Sequence, residues 1–259
     1  MALCVAVLIP LVSYYMVKYA SDDAITMPRR FYYDSVAVHM KDGKQMTDTL
    51  WHRVGDISLT NQLGQQVSLA DIKGKVIVAN YFFTHCPSIC PVLTANIRQL
   101  QDGLKLKDNM KGIDTTFVQF LSFSVDPERD SVEALKKYGD RFGVNPDVWW
   151  LLTGPKKTIY DFALTELKLG LQDGEGVDSN FIHTQKIVLL DKAHLVRGYY
   201  DGLDSASLNK LAQDIVFIML EKDRNSRSIL YEFKPILPLI VVVLVLTAAA
   251  VVYFSRKKN

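Results

Sequence analysis

A nine-residue run, Lys75–Phe83 (KVIVANYFF), leads directly into Thr84-His85-Cys86-Pro87-Ser88-Ile89-Cys90-Pro91. No other feature limits the fold of this chain as tightly. The run is almost continuously apolar and rich in β-branched and aromatic residues, the pattern of a strand buried on both faces. Downstream, Leu93, Ile97, Leu100 and Leu104 recur at helical spacing, so a helix is predicted from Ile89 to about Lys107. Cys86 and Cys90 then lie at i and i+4 in a first helical turn, on one face, with Cβ atoms about 5–6 Å apart. A helix N-terminus favours the thiolate, the form that binds soft metals or attacks disulfides. Pro87 and Pro91 suit such a strand-to-helix junction and stiffen it.

The remaining elements follow in an order that points to one architecture. Asp56–Thr60 and Val67–Leu69 flank Asn61–Gln65 as a small hairpin. Thr116–Val125 reads as a second buried strand, closed by Asp126-Pro127, and Ser131 is the candidate N-cap of a helix reaching about Phe142. Trp149–Leu152 is a short strand, and Pro155 opens the next helix at a favoured first-turn position. Lys186–Leu190 and Leu195–Tyr200 form a hairpin turning at Asp191–His194, and an amphipathic helix runs from Leu208 to about Leu220. This is the element order of a thioredoxin-like α/β domain with a central mixed sheet, placed at residues 55–225. Residues 21–54 are polar and aperiodic apart from the aromatic Phe31, Tyr32 and Tyr33; they read as a membrane-proximal linker with room for one strand or hairpin.

Both ends of the chain belong to a membrane on this reading. Ile236–Phe254 is 19 residues without a charge, long enough at about 1.5 Å per residue to cross the hydrocarbon core, and a transmembrane helix is predicted at 235–255. Arg256, Lys257 and Lys258 follow in a basic tail, 256–259, expected to stay cytoplasmic. Residues 1–20 hold the apolar stretch Ala2–Val17 and form an N-terminal anchor or signal segment; the missing basic n-region favours an uncleaved anchor helix. Flanking transmembrane helices put the domain on the extracytoplasmic side, the periplasmic face of a bacterial inner membrane. Of 30 Lys+Arg and 28 Asp+Glu, all but the three basic residues of the tail lie between Lys18 and Lys234. The domain is therefore near neutral and offers no electrostatic footprint for nucleic acid.

Two thiolates alone make a poor metal site, so the histidines matter. His39 and His52 precede the folded core and are expected to be solvated. His194 falls in a hairpin turn, where exposure is expected, and His85 adjoins Cys86, from which its side chain should diverge. His183 ends the Gly- and Asp-rich loop GLQDGEGVDSN-Phe-Ile just before the strand Lys186–Leu190. In a thioredoxin-like fold that loop end faces the first βα turn, which makes His183 the preferred third ligand. Two soft thiolates and one imidazole select Cu(I), or Zn(II) if a fourth ligand exists; no fourth partner is evident, so copper is favoured, one ion per chain. The plainer readings of Cys86 and Cys90 are inert core thiols or a structural disulfide.

The run Tyr81–Pro91 resembles the signature of the SCO/SenC family, membrane-tethered thioredoxin-like copper chaperones of cytochrome c oxidase assembly. The resemblance continues at Ser124-Val125-Asp126-Pro127-Glu128-Arg129-Asp130, at Leu152-Thr153-Gly154 and at Ile182-His183-Thr184. It implies Cys86, Cys90 and His183 as the copper ligands, with Asp126 in support. It also implies an assembly factor rather than an enzyme, delivering copper to the copper-bearing oxidase subunit or another cuproprotein. Two departures stand out: Asp178 is separated from His183 by Ser-Asn-Phe-Ile, and the family plan has a single N-terminal anchor without a C-terminal span. The competing function is a thiol–disulfide reductase that keeps acceptor cysteines reduced. Against it, three residues rather than two separate the cysteines, and no proline lies between Pro155 and Pro235, where oxidoreductases of this fold place a cis-proline. A peroxiredoxin-type peroxidase fits less well, because Thr84-His85-Cys86 lacks the T-x-x-C spacing.

Overall fold

The structure is a computed structural model, and it describes residues 12–16, 27–41, 44–104, 117–169 and 185–221. Two strands, β1 (Tyr33–Lys41) and β2 (Lys44–Trp51), pair as an antiparallel ribbon apart from the main sheet. Then follow β3 (Ser58–Asn61), β4 (Gln66–Ser68), a 3-10 turn at Leu69–Ile72, β5 (Val76–Phe82), α1 (Ile89–Gly103), β6 (Val118–Ser124), α2 (Val132–Phe142) and β7 (Trp149–Thr153). The helix α3 (Lys156–Asp161) runs into a π turn at Phe162–Glu166, and β8 (Lys186–Leu190), β9 (Val196–Asp201) and α4 (Ser205–Leu220) complete the domain. Seven strands form one sheet in the order β4-β3-β7-β6-β5-β8-β9. The pairs β5/β6 and β6/β7 are parallel, and β3/β4, β3/β7, β5/β8 and β8/β9 are antiparallel. This is the expected thioredoxin-like α/β fold with a central mixed sheet.

β5 owes its central place to its composition. All seven of its residues are buried, as a strand covered on both faces requires. Its alternate side chains feed two cores. Ile77, Ala79 and Tyr81 face the core completed by Leu121, Phe123 and Phe162, and Val76, Val78 and Phe82 face the one that receives α1, α2 and α4. At about 2 kcal/mol per fully buried large apolar side chain, these two layers supply the main driving force for folding. α2 starts and stops as its sequence dictates: the Ser131 hydroxyl accepts the Ala134 N–H at 3.2 Å, and Gly143 takes the left-handed conformation (φ 67°) that ends the helix.

The stretch read as a linker is more structured than its composition suggests. It carries the β1–β2 ribbon, and before it the Phe31 N–H donates to Val196 O while the Phe31 ring meets Tyr199 edge-on. Arg197, buried beside Asp191 (2.9 Å), donates twice to Pro28 O and fastens this strap to β9. The chain divides into compact units at Leu220. Among the described residues no helix is long and apolar enough to cross a membrane. The run at 236–254, the basic tail, and all of the N-terminal stretch except residues 12–16, which are helical, lie outside the described residues.

Candidate metal centre

β5 delivers the chain into the cysteine turn, where the Cys86 N–H donates back to Phe83 O at 3.3 Å. Helix α1 then begins without help from its N-cap side chain, since the Ser88 hydroxyl makes no capping bond. A thiol takes that part: the Cys90 N–H donates to Cys86 Sγ at 3.4 Å, with Ser88 Oγ 4.0 Å from the same sulfur. No disulfide joins the two cysteines here, and both are nearly buried, 9% and 4% exposed.

Their surroundings drive the two thiols apart. Burial pushes Cys86 up, but the Cys90 thiol, the Cys90 N–H and the donors of Ser88 outweigh it and hold Cys86 below the ordinary thiol range. Burial pushes Cys90 up to about 12, reinforced by its hydrogen bond to Cys86 and by the charges of Cys86 and Asp130. Cys86 is thus the more acidic of the two thiols. Tyr138 stands behind them, its hydroxyl 3.5 Å from Cys90 O and 2.8 Å from Thr94 Oγ1; burial raises this phenol to about 12.

Beneath the turn lies a carboxylate that is wholly buried, Asp130. It accepts the Thr84 N–H (3.2 Å), the Thr84 hydroxyl (2.5 Å) and the Ser124 hydroxyl (2.5 Å), and so fixes the residue two positions before Cys86 to the end of β6. Asp126, the acidic residue expected to support the site, lies in the turn after β6: its N–H donates to Ser124 Oγ, its carbonyl accepts from Arg129 and Asp130, and its carboxylate lies 3.7 Å from exposed Arg129. The signal for Asp130 was its place four residues on in the same DPERD run, just before the N-cap Ser131, where β6 hands over to α2.

The histidines divide as follows. His183 falls in 170–184, outside the described residues. His85 is exposed, with Nδ1 2.9 Å from Thr84 Oγ1. His52 is not a solvated linker residue: its Nδ1 meets Asp34 at 2.8 Å, and its ring is largely covered. His194 corrects another expectation. It is 9% exposed and holds φ 62°, because its turn folds against the strap, its carbonyl accepting the Val54 N–H at 3.0 Å. Burial, then the nearby Arg53 and Lys73 cations, lower its pKa, with Asp191 and Asp56 opposing. The ring lines a cavity of about 510 Å³ together with Arg53, Lys73 and Lys192. Among the described residues no three His, Cys, Asp or Glu side chains converge as a ready metal cage.

The start of β8 approaches these donors. β8 runs antiparallel to β5, pairing Val188 with Ala79, so it begins at the sheet end where β5 gives way to the cysteines. Gly202 allows close packing there: a Cβ on it would lie 2.1 Å from Leu93 Cδ1 of α1 and 2.9 Å from Gln185 O. Asn96 Nδ2 donates to Gly202 O at 2.8 Å.

Comparison with known proteins adds the following. A family model described as SCO1/SenC matches residues 47–219. A SCO1 protein homolog of Bacillus subtilis (strain 168) is 35% identical over 174 residues, covering 67% of this chain and 86% of the relative. A mitochondrial SCO2 homolog of Mus musculus is 34% identical over 154 residues, 59% of this chain and 57% of the mouse protein, so the chain spans little over half of that relative. Among solved structures, BsSco, described by a disulfide switch and as a member of the Sco family of cytochrome c oxidase assembly proteins, superposes with TM-score 0.54 at 34% identity, covering 67% of this chain and 96% of that one. A SCO1/SenC family lipoprotein of Bacillus anthracis str. Ames gives TM-score 0.53 at 31% identity, covering 65% and 95%.

Proposed function

Because the chain belongs to the SCO1/SenC family, we propose that it is a copper-binding assembly factor that matures the copper site of cytochrome c oxidase from the extracytoplasmic side of a membrane. The observation that carries this reading is the cysteine pair itself, Cys86 in the turn before α1 and Cys90 in its first turn, the Cys90 N–H donating to Cys86 Sγ and the Cys86 thiol made the more acidic of the two. Soft thiolates retain Cu(I), and a three-coordinate site is open enough to surrender the ion by ligand exchange, each incoming thiolate replacing one outgoing ligand. His183 is the third ligand on this reading; the direction of β8 and the close packing of Gly202 against Leu93 and Gln185 support it, since both set Gln185, two residues after His183, near α1. Copper is cargo here, and its recipient is the copper-bearing oxidase subunit or another cuproprotein. Domains at 1–20, 21–54, 55–225, 235–255 and 256–259 complete the proposal, with the two apolar segments holding the protein in the membrane.

The test is copper titration of the reduced protein with single variants. One Cu(I) per chain is expected, with Cys86→Ser and Cys90→Ser abolishing tight binding and His183→Ala weakening Cu(II) binding far more than His194→Ala. Equal losses in the two histidine variants would remove the reason for choosing His183.

A second reading is favoured by one specific observation. The opposed shifts of Cys86 and Cys90 are those of a nucleophilic thiol and a resolving thiol, and BsSco is described by a disulfide switch. A thiol–disulfide reductase uses the same sulfurs: the Cys86 thiolate attacks the acceptor disulfide, and Cys90 then displaces the acceptor thiol and leaves a Cys86–Cys90 disulfide. Vigorous insulin reduction by the reduced protein would promote this reading.

A further inference from the structure

The end of the sheet remote from the cysteines gathers charge of one sign around a cavity. β8 pairs Leu190 with Ile77 at the start of β5, so the Asp191–His194 turn lies where β5 begins, whereas the cysteines follow its last residue. The seven residues of β5, at about 3.3 Å each, hold these two ends roughly 20 Å apart. The cavity of about 510 Å³ at the far end is lined by Arg53, Lys73 and Lys192, against a single carboxylate, Asp56. Among the described residues neither Arg53 nor Lys73 has a carboxylate partner. Lys192 gives one proton to Met219 O at 2.9 Å, and Asp56 accepts the Ala70 N–H at 3.2 Å. Three cations against one anion leave two positive charges in excess, beside buried carbon from Val54 and Leu69 that strengthens their field. His194 is an independent sign of a ligand. It is 9% exposed, its ring lines the same cavity, and its Nε2 is buried with no hydrogen-bond partner among the described residues. Buried polar atoms are nearly always paired, so an orphan in a cavity wall points to a group supplied from outside the chain. Burial first, then Arg53 and Lys73, lower the proton affinity of this ring, so both cations are within electrostatic reach of it.

We propose that this cavity binds a phosphate-bearing anion between Arg53, Lys73 and Lys192, with the His194 ring as a further polar contact. The charge excess selects the ligand class, since a phosphate monoester carries close to two negative charges at neutral pH. A guanidinium fork and two ammonium groups suit its several oxygens, the fork by paired hydrogen bonds and the ammonium groups as point charges. Two sources offer this chemistry, a free phosphate and a lipid headgroup. The chain's own path bears on the second. Val54, next to Arg53, donates to His194 O at 3.0 Å, and Lys192 holds the last turn of α4 at Met219, so the strap and the end of α4 both meet at this cavity. In sequence, α4 is followed after residues 221–235 by the apolar run 236–254. The lipid source therefore rests on the membrane reading above, whereas the site itself rests on neither that reading nor copper.

The test is a titration of the full-length protein in uncharged detergent micelles near pH 7.5, at ionic strength held constant with sodium chloride. Inorganic phosphate and glycerol 3-phosphate, followed by calorimetry, probe the free form. Micelles doped with phosphatidic acid, against the same load of phosphatidylcholine, probe the headgroup form. In both arms the ring signals of His194, labelled with nitrogen-15 and assigned from His194→Asn, report whether the anion lies in this cavity. A saturable movement of those signals is expected in at least one arm, and the arm that responds names the source. Arg53→Gln and Lys73→Gln should each weaken binding about tenfold, the effect of losing one charge-assisted hydrogen bond. Asp56→Asn, which keeps an acceptor for the Ala70 N–H, should tighten it about threefold. Cys86→Ser and Cys90→Ser should bind the anion as the parent does. No saturable response in either arm, a response that chloride or phosphatidylcholine reproduces, or unchanged affinity in both cation variants overturns the proposal and leaves the copper reading standing. Loss of binding in the cysteine variants also overturns it, because the anion would then sit at the copper centre.

Discussion

The asymmetry of the cysteine pair predicts which sulfur reacts first. Cys90 is pushed to about 12, and Cys86 is held below the ordinary thiol value. Cys90 alone therefore carries on the order of a thousandfold less thiolate at neutral pH than an ordinary thiol, and Cys86 carries more than one. Nucleophilicity falls as a thiol becomes more acidic, which returns part of that factor, so an alkylation preference of about a hundredfold is expected. Exposure points the same way, 9% against 4%. The perturbation is a limiting pulse of iodoacetamide on the reduced protein between pH 6 and 9, quenched and read by peptide mass spectrometry. Modification should accumulate on Cys86, with a rate that levels off below the pH at which a free thiol does. In Cys86→Ala, Cys90 loses both the hydrogen bond and the negative charge that raise it, so its reactivity should increase relative to the parent. Comparable labelling of the two sulfurs, or Cys90 modified first, would refute the reasoning from burial and hydrogen bonding.

Three further outcomes follow from the packing. Asp130→Ala strips a buried acceptor from three donors and should cost about 3 kcal/mol or more in urea unfolding, while lowering the Cys90 thiol, whose pKa the Asp130 charge helps raise; a neutral effect on stability would mean the Thr84 and Ser124 bonds are not formed. Asp191→Ala leaves buried Arg197 with Pro28 O but without its carboxylate and frees the Ala193 and Leu195 N–H groups, a loss of roughly 3 kcal/mol that should also expose the strap to protease at Met27–Phe31. His194 binds its proton less readily folded than unfolded, so stability should fall as pH drops below the ordinary histidine value near 6.5, levelling off only below its folded pKa. His194→Asn, which tolerates the left-handed backbone, should flatten that decline between pH 7.5 and 5.5; an unaltered slope would show that His194 is not the group responsible.

The fold was legible where composition and periodicity speak for the same element. KVIVANYFF reads as a doubly covered strand and is one; Ser131 and Gly143 bracket α2 as cap chemistry requires. What stayed hidden was tertiary. The order of β3 and β7 in the sheet depends on pairing residues some ninety positions apart, Thr60 with Thr153 and Asn61 with Leu152, and no local pattern encodes it. The β1–β2 ribbon escaped a firm reading because its residues are mostly exposed, so the alternation of buried and solvated side chains that marks a strand is absent.

The site divides along the same physical line. Two cysteines four residues apart at a strand-to-helix junction announce themselves because their chemistry depends on local spacing, although Cys86 lies in the turn before α1 and not in its first turn as the spacing suggested. Asp130 does not, since its effect depends on the end of β6 lying beside the end of β5, a parallel pairing that sets Phe82 against Ser124 and so brings the DPERD turn under Thr84. Asp126, first in the same run and the natural choice from sequence, is held near the surface by the turn it starts; the four residues from Asp126 to Asp130 then carry the chain inward. A histidine turn read as exposed went wrong for a related reason: His194 is drawn inward by a hydrogen bond to Val54, more than a hundred residues away. Whether a polar side chain supports chemistry here is thus decided by which strand end it meets. Exchanging Asp126 for Asn should accordingly leave alkylation of Cys90 almost unchanged, whereas exchanging Asp130 for Asn removes a charge that raises the Cys90 thiol and should speed its alkylation, and equal effects would mean that position in the turn, not the buried charge, is what matters.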